Sequence, residues 1–305
     1  MMRKKLSTYL FLLLPFLSCS TNESVDTPVL TETEDVEIKN GNSLLWKIEG
    51  KNTKPAYIFG TMHMINTEYY NFSDGLKERV AAADEIIMEV NGMANPIAAY
   101  EMMLLDSGTV HHYFTPEQLV ELLEFMDTRM GISPQEFDQT YGQMKPFYLM
   151  QTITQGYFEA GAKSYDLEIM GIAGASDIPI YGLETIEEQL SLFDSIPKSE
   201  MAEMIITGIR DYDKEAKDTK KLMELYSKQK VDKLIPLLQK QSPEFMQFDD
   251  IFLYNRNKAW IPQLEEEMTS KHCFIAVGAG HLFGDEGVLD LLKKKGYTLT
   301  AISTE

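Results

Sequence analysis

Two tetrads of the form Gly-x-x-His, Gly60-Thr61-Met62-His63 and Gly278-Ala279-Gly280-His281, stand near opposite ends of a 305-residue chain. Each follows a short apolar run with strand character, and open α/β sheets present ligands at the carboxyl ends of their strands. Two such strands side by side would bring two imidazoles together over one sheet edge. Glu89 ends the apolar run that begins at Ile86, and Glu184 lies just past the run Ile178 to Gly182. A carboxylate closing an apolar run is costly to bury unless it is paired or metal-bound. Two neutral imidazoles with carboxylate oxygens make an ordinary ligand set for Zn²⁺, Mn²⁺ or Co²⁺. Such an ion polarises a carbonyl and acidifies its bound water, while a spare glutamate takes the proton. The chemistry these residues predict is therefore metal-centred hydrolysis. Asp166 and Arg256 complete the candidates. Arg256 suits a substrate carboxylate or a buried glutamate, and a plain structural ion pair is equally open for either residue.

Competing chemistries find less support. The chain has five histidines; His111 and His112 are adjacent and do not face one ion easily, and His272 opens a strand. No His-Glu-x-x-His and no Gly-x-Ser-x-Gly occurs, so neither a helical zinc-protease motif nor a serine elbow is present. Gly278 and Gly280 lack the third glycine of a dinucleotide loop, because Phe283 occupies its place. Cys273 lies inside an apolar run and reads as a small buried hydrophobe.

Positioning these residues requires a sheet. Leu44 to Glu49 and Ala56 to Phe59 read as a hairpin, and a helix through Leu76 to Ala83 leads to a strand at Glu85 to Val90. That order implies a right-handed crossover and a mostly parallel sheet. Thr115-Pro116-Glu117 and Ser133-Pro134-Gln135-Glu136 start helices. Met and Phe at helical spacing between Lys145 and Met170 read as core. A strand at Ile178 to Gly182 is followed by a helix opened by Glu184, then by charged helical sequence from Ser199 to about Leu238. Phe252 to Met268 is helical and carries Arg256 early. A strand at His272 to Val277, a helix to Lys295 and a strand at Tyr297 to Ile302 close the chain. The fold class predicted is α/β, with a central mixed, mostly parallel sheet and helical insertions at about 92–175 and 195–250.

Met1 to Lys5 are followed by an apolar stretch and then Leu17-Ser18-Cys19-Ser20, the pattern of a secretory signal ending in a lipobox. Residues 1–18 are expected to be removed, leaving a lipidated Cys19, a flexible tether over 19–43 and a domain over 44–305. This places the protein in a bacterial cell envelope, lipid-anchored outside the cytoplasm, at the outer membrane. With 28 basic against 47 acidic residues the net charge is −19, which speaks against nucleic acid as a partner.

Taken in order, Ile58-Phe59-Gly60-Thr61-Met62-His63, Glu89, Asp166, Gly182-Leu183-Glu184-Thr185 with Gln189, Arg256-Asn257 and Val277 to Gly284 resemble the TraB/GumN family, also called TraB/PrgY/GumN and related to the Tiki metalloproteases. The resemblance covers about Leu44 to Ile302. It implies two similar α/β halves around one sheet, His63 and His281 as metal ligands, and Glu89 and Glu184 as ligands or general base. Arg256 and Asp166 would support them or face the substrate. It further implies Mn²⁺ or Co²⁺ as the metal and a peptide or protein as substrate. The function expected is a divalent-metal-dependent peptidase or amide hydrolase at the envelope. The alternative is a non-catalytic lipoprotein that binds or sequesters a peptide or haem-like ligand.

Overall fold

The computed structural model describes residues 34–91, 96–241 and 248–305. The expected signal segment and lipidated Cys19 lie outside the described residues. Six strands form one sheet: β1 (Leu45–Glu49), β2 (Ala56–Thr61), β3 (Glu85–Val90), β4 (Ile180–Glu184), β5 (Cys273–Gly278) and β6 (Thr298–Ile302), in the order β4-β3-β5-β2-β1-β6. β4, β3, β5 and β2 run parallel, whereas β1 is antiparallel to both β2 and β6. The architecture is mixed α/β, a central sheet surrounded by helices. All six residues of β3 and of β5 are buried, as expected of central strands covered on both faces.

Alternation along these strands divides the core. Phe59, Ile86, Met88, Phe274 and Ala276 face α1 (Asp74–Ala81), α6 (Tyr165–Ala175), α9 (Tyr212–Ser227) and α10 (Val231–Gln241). Ile58, Ile87, Ile275 and Val277 face α11 (Asn255–Met268) and α13 (Val288–Lys294) on the other side. A separate cluster belongs to the helical region, where α3 (Pro116–Met130), α4 (Pro134–Tyr141), α5 (Pro146–Gln155), α7 (Ile186–Asp194) and α8 (Lys198–Arg210) pack on one another. Phe147 and Met150, read as core, are buried within it beside Leu149 and Ile153, whereas Phe158 and Met170 are partly buried against the sheet cluster. The helix starts follow the sequence signals: Thr115 and Ser133 each cap a first turn with a reciprocal Gln118 or Glu136 bond, and Pro116 and Pro134 sit where an N–H would go unused.

Both sheet edges are covered. The Ile38 N–H donates to the Ala301 carbonyl at 2.8 Å and the Ser303 N–H to Val36 at 2.8 Å, so residues 36–38 line β6. On β4, the Gln263 amide donates to the Leu183 carbonyl at 3.2 Å and accepts from the Tyr181 hydroxyl at 3.0 Å. The Gln263 side chain thus occupies one backbone carbonyl of β4, that of Leu183, and is held there by Tyr181. Gly182 sits in β4 for a steric reason, since a Cβ there would come within 2.4 Å of the Asn91 nitrogen.

Candidate functional site

β2 and β5 are neighbours, with Gly60 opposite Val277 and Thr61 opposite Gly278. Their carboxyl ends deliver His63 and His281 to one region, as the paired tetrads predict. The glycine of the first tetrad serves close approach rather than turning. A Cβ at Gly60 would lie 2.9 Å from the Leu282 side chain and 3.0 Å from the Ala279 backbone, in the short helix α12 (Ala279–Leu282). His281 therefore stands on a helical turn, not in a loop.

β3 and β4 bring the acids. Glu89 and Glu184 lie at the carboxyl ends of these two strands, and Glu184 is the last residue of β4; the helix α7 starts only after the Thr185 cap. Arg256 enters from the first turn of α11, directly after a π-helical turn at Asp250–Tyr254. Its guanidinium is the hub of the site. Nη2 donates to Glu89 Oε2 at 2.6 Å and meets Glu184 Oε2 at 2.9 Å, Nε reaches both Glu184 oxygens at 3.0 Å, and Nη1 donates to the Phe252 carbonyl at 2.9 Å. Nη1 also donates to His281 Nε2 at 3.1 Å.

The remaining partners are equally committed. His281 Nδ1 donates to Asn257 Oδ1 at 2.7 Å, which fixes the tautomer and leaves Nε2 as the acceptor for Arg256. Glu89 Oε1 accepts the Gly278 N–H at 2.8 Å, and its Oε2 also accepts from Gln189 at 3.1 Å. Trp260 Nε1 donates to Glu184 at 3.0 Å while its ring lies 4.9 Å from the Arg256 guanidinium and 4.5 Å from the His281 ring. Beside this network, His63 Nδ1 donates to Asp166 Oδ2 at 2.8 Å, and Thr61 Oγ1 donates to Asp166 Oδ1 at 3.0 Å. Asp166 stands in the first turn of α6, after the Ser164 cap.

Burial decides the protonation states. For Glu89 burial opposes ionisation, yet His281, Arg256 and His63 around it and the Gly278 N–H hold its carboxyl down at about 2. Burial, with Arg256 and His63 adding to it and Glu89 opposing, lowers His281 to about 3. His281 is therefore neutral at ordinary pH, and the guanidinium is the cation that keeps Glu89 ionised. Burial also acts against the charge of Arg256, but Glu89 and Glu184 prevail and raise its pKa further. Cys273 is buried and free, and burial pushes its thiol up to about 12, which leaves it without nucleophilic character.

Of the residues predicted for the site, His281, Glu89, Glu184 and Arg256 make one network, and His63 and Asp166 make a pair beside it. The chemistry predicted for them does not follow. Among the described residues, no group of three or more His, Cys, Asp or Glu side chains is placed to hold a metal ion. Arg256 already serves as the cation of this network: its N–H groups take both carboxylates and the Nε2 lone pair of His281. The expectation of a metal-dependent peptidase or amide hydrolase, with Mn²⁺, Co²⁺ or Zn²⁺ on His63, His281, Glu89 and Glu184, is corrected accordingly. The metal-binding, hydrolase and metalloprotease readings go with it. Among the described residues no helix is long and apolar enough to cross a membrane. Trp260 is the site residue that sequence reading missed; its position one helical turn after Arg256 was the available signal.

An apolar pocket adjoins the network. Thr61 and Ala279 form its floor, and Met62 and Met64 line it while His63, between them, turns to Asp166. Leu222 and Met223 of α9, Leu234 and Leu238 of α10, and Phe158 and Thr219 complete its walls. The Asn66 N–H donates to the Met223 sulfur at 3.2 Å, which orients that wall.

No solved structure matches the chain. A protein of Nematostella vectensis named metalloprotease TIKI homolog is similar at 20% identity, with 96% of this chain and 74% of that protein covered. The model of the TraB/PrgY/gumN family matches residues 44–301, from β1 through nearly all of β6 and with every residue of the site inside it, and the chain belongs to this family.

Proposed function

We propose that this protein binds a peptide, seating an apolar side chain in the pocket at the carboxyl edge of the sheet, without metal-assisted cleavage. The observation that carries this reading is the pocket's position: its floor residues Thr61 and Ala279 sit two residues before His63 and His281. Seven of its walls are Met, Leu or Phe, and methionine adapts to varied apolar ligands. The name of the Nematostella relative supports a polypeptide as the ligand class. A haem-like ligand gains no support, because His281 is fully buried and both its ring nitrogens are engaged. The pairing of β2 with β5, each ending in a Gly-x-x-His tetrad, supports the organisation into two similar halves. The lipobox ending at Cys19 supports a lipid-anchored place at the bacterial envelope; mass spectrometry of the Cys19 peptide tests it.

The deciding experiment is calorimetric titration of short capped peptides onto the protein, with and without a chelator, followed by chromatography of the mixture. Saturable binding that leaves the peptide intact and ignores the chelator is expected. A Leu222→Asp variant should lose the binding while keeping its fold by circular dichroism. Chelator-sensitive turnover, or unchanged binding by Leu222→Asp, would refute the reading.

A further inference from the structure

Resting on that reading, we infer that the pocket selects a side chain with an aliphatic body and one uncharged hydrogen-bonding group, which pairs with the Thr219 hydroxyl. Two threonines line the pocket, and they differ. Thr61 Oγ1 already donates to Asp166 at 3.0 Å. Thr219 is 2% exposed, and its Oγ1 has no hydrogen-bond partner among the described residues. A buried hydroxyl without a partner has lost its hydration, so a ligand atom that supplies the bond gains affinity by the net worth of one hydrogen bond, its own desolvation being offset against it.

The rest of the lining narrows the ligand. No charged residue lines the pocket, so an ammonium or carboxylate entering it would be desolvated without compensation. A single water is a poor substitute for the ligand group, because a buried water needs two to four polar partners and the other walls are apolar. The helix sets the geometry. Glu215, Thr219, Leu222 and Met223 recur at helical spacing on α9, and all four are buried, so Thr219 stands where the apolar wall gives way to buried Glu215, which pairs with the exposed Lys214 at 3.3 Å. The aliphatic body of the ligand would contact Leu222 and Met223, and its polar group would lie one turn earlier on the helix.

The test compares three capped tripeptides, Ala-X-Ala with X as norleucine, 6-hydroxynorleucine or lysine, titrated onto the full chain and onto Thr219→Val and Thr219→Ser. Wild type should bind the hydroxynorleucine peptide about threefold to tenfold more tightly than the norleucine peptide, the range of one net hydrogen bond. Thr219→Val should erase that preference without weakening norleucine, and Thr219→Ser should restore it. A preference that survives in Thr219→Val, equal binding of the two peptides by wild type, or tightest binding of lysine would each overturn the inference while leaving the peptide-binding reading standing. Binding of none of the three by folded wild type would overturn the peptide-binding reading itself, and this inference with it.

Discussion

Replacing Arg256 with methionine keeps most of the side-chain volume and removes the cation on which two buried carboxylates depend. Glu89 and Glu184 lie 2.6 and 2.9 Å from the same Nη2, and Arg256 is only 4% exposed. Breaking a buried ion pair by deleting one partner costs about 3–5 kcal/mol, because the stranded charge stays desolvated. A second route bounds the loss. The variant can neutralise Glu89 by protonating it, and starting from an ordinary carboxyl near 4.5 this costs roughly 3.5 kcal/mol at pH 7. The two routes agree, and the second makes a further claim: the deficit relative to wild type should shrink by about 1.4 kcal/mol for each unit the pH is lowered towards 4.5. Urea unfolding of both proteins at pH 7, 6 and 5 reads this directly. Glu89→Gln in the Arg256→Met background should recover part of the loss at pH 7 and little at pH 5. A deficit below about 1 kcal/mol at pH 7, or one independent of pH, would refute the view that Arg256 is the internal counter-ion of this site.

Other consequences concern the same network and the sheet beneath it. His281 has its pKa lowered to about 3 from 6.5, so the unfolded chain binds the extra proton; stability is fully present above 6.5 and falls as the pH drops towards 3, by up to about 1.4 kcal/mol per unit. Glu89, held at about 2, adds stability that is present above 4.5 and is lost as the pH falls through 2, and His281→Gln should flatten only the upper part of the acid-unfolding curve. Asp166→Asn replaces an acceptor shared by Thr61 and His63 with a group of which one half only donates, and should cost about 1–3 kcal/mol with loss of the downfield His63 Nδ1–H proton signal. Gly182→Ala drives a methyl against the Asn91 backbone and should cost about 1–3 kcal/mol in urea unfolding, with the β3–β4 amides the first to lose exchange protection.

Much of this was legible before any coordinates. The strands at 45–49, 56–61, 85–90, 273–278 and 298–302 fall where apolar runs and alternation place them, and the capped starts at Thr115 and Ser133 follow from their own four residues. His63, His281, Glu89 and Glu184 were legible too, because each stands at or just past the end of an apolar run, where burial demands a partner; Asp166 and Arg256 carried no such local signal. Less legible were the helix boundaries between Lys198 and Gln241. One charged stretch resolves into α8, α9 and α10, since Asp211 and the Gln229–Lys230 turn break the helix without glycine or proline.

Spacing along the chain determined the elements, the carboxyl-edge location of both histidines and the list of polar residues that would need one another, because periodicity and strand-end position are local properties. Which of them would pair was settled only in three dimensions. An arginine from α11, remote in sequence from both acids, reaches the ends of β3 and β4 and takes both acids and a histidine nitrogen at once. Read along the chain, His63, His281, Glu89 and Glu184 make a ligand set; folded, Glu89, Glu184 and His281 are the acceptors of a guanidinium held within 3.1 Å of each, and His63 pairs with Asp166.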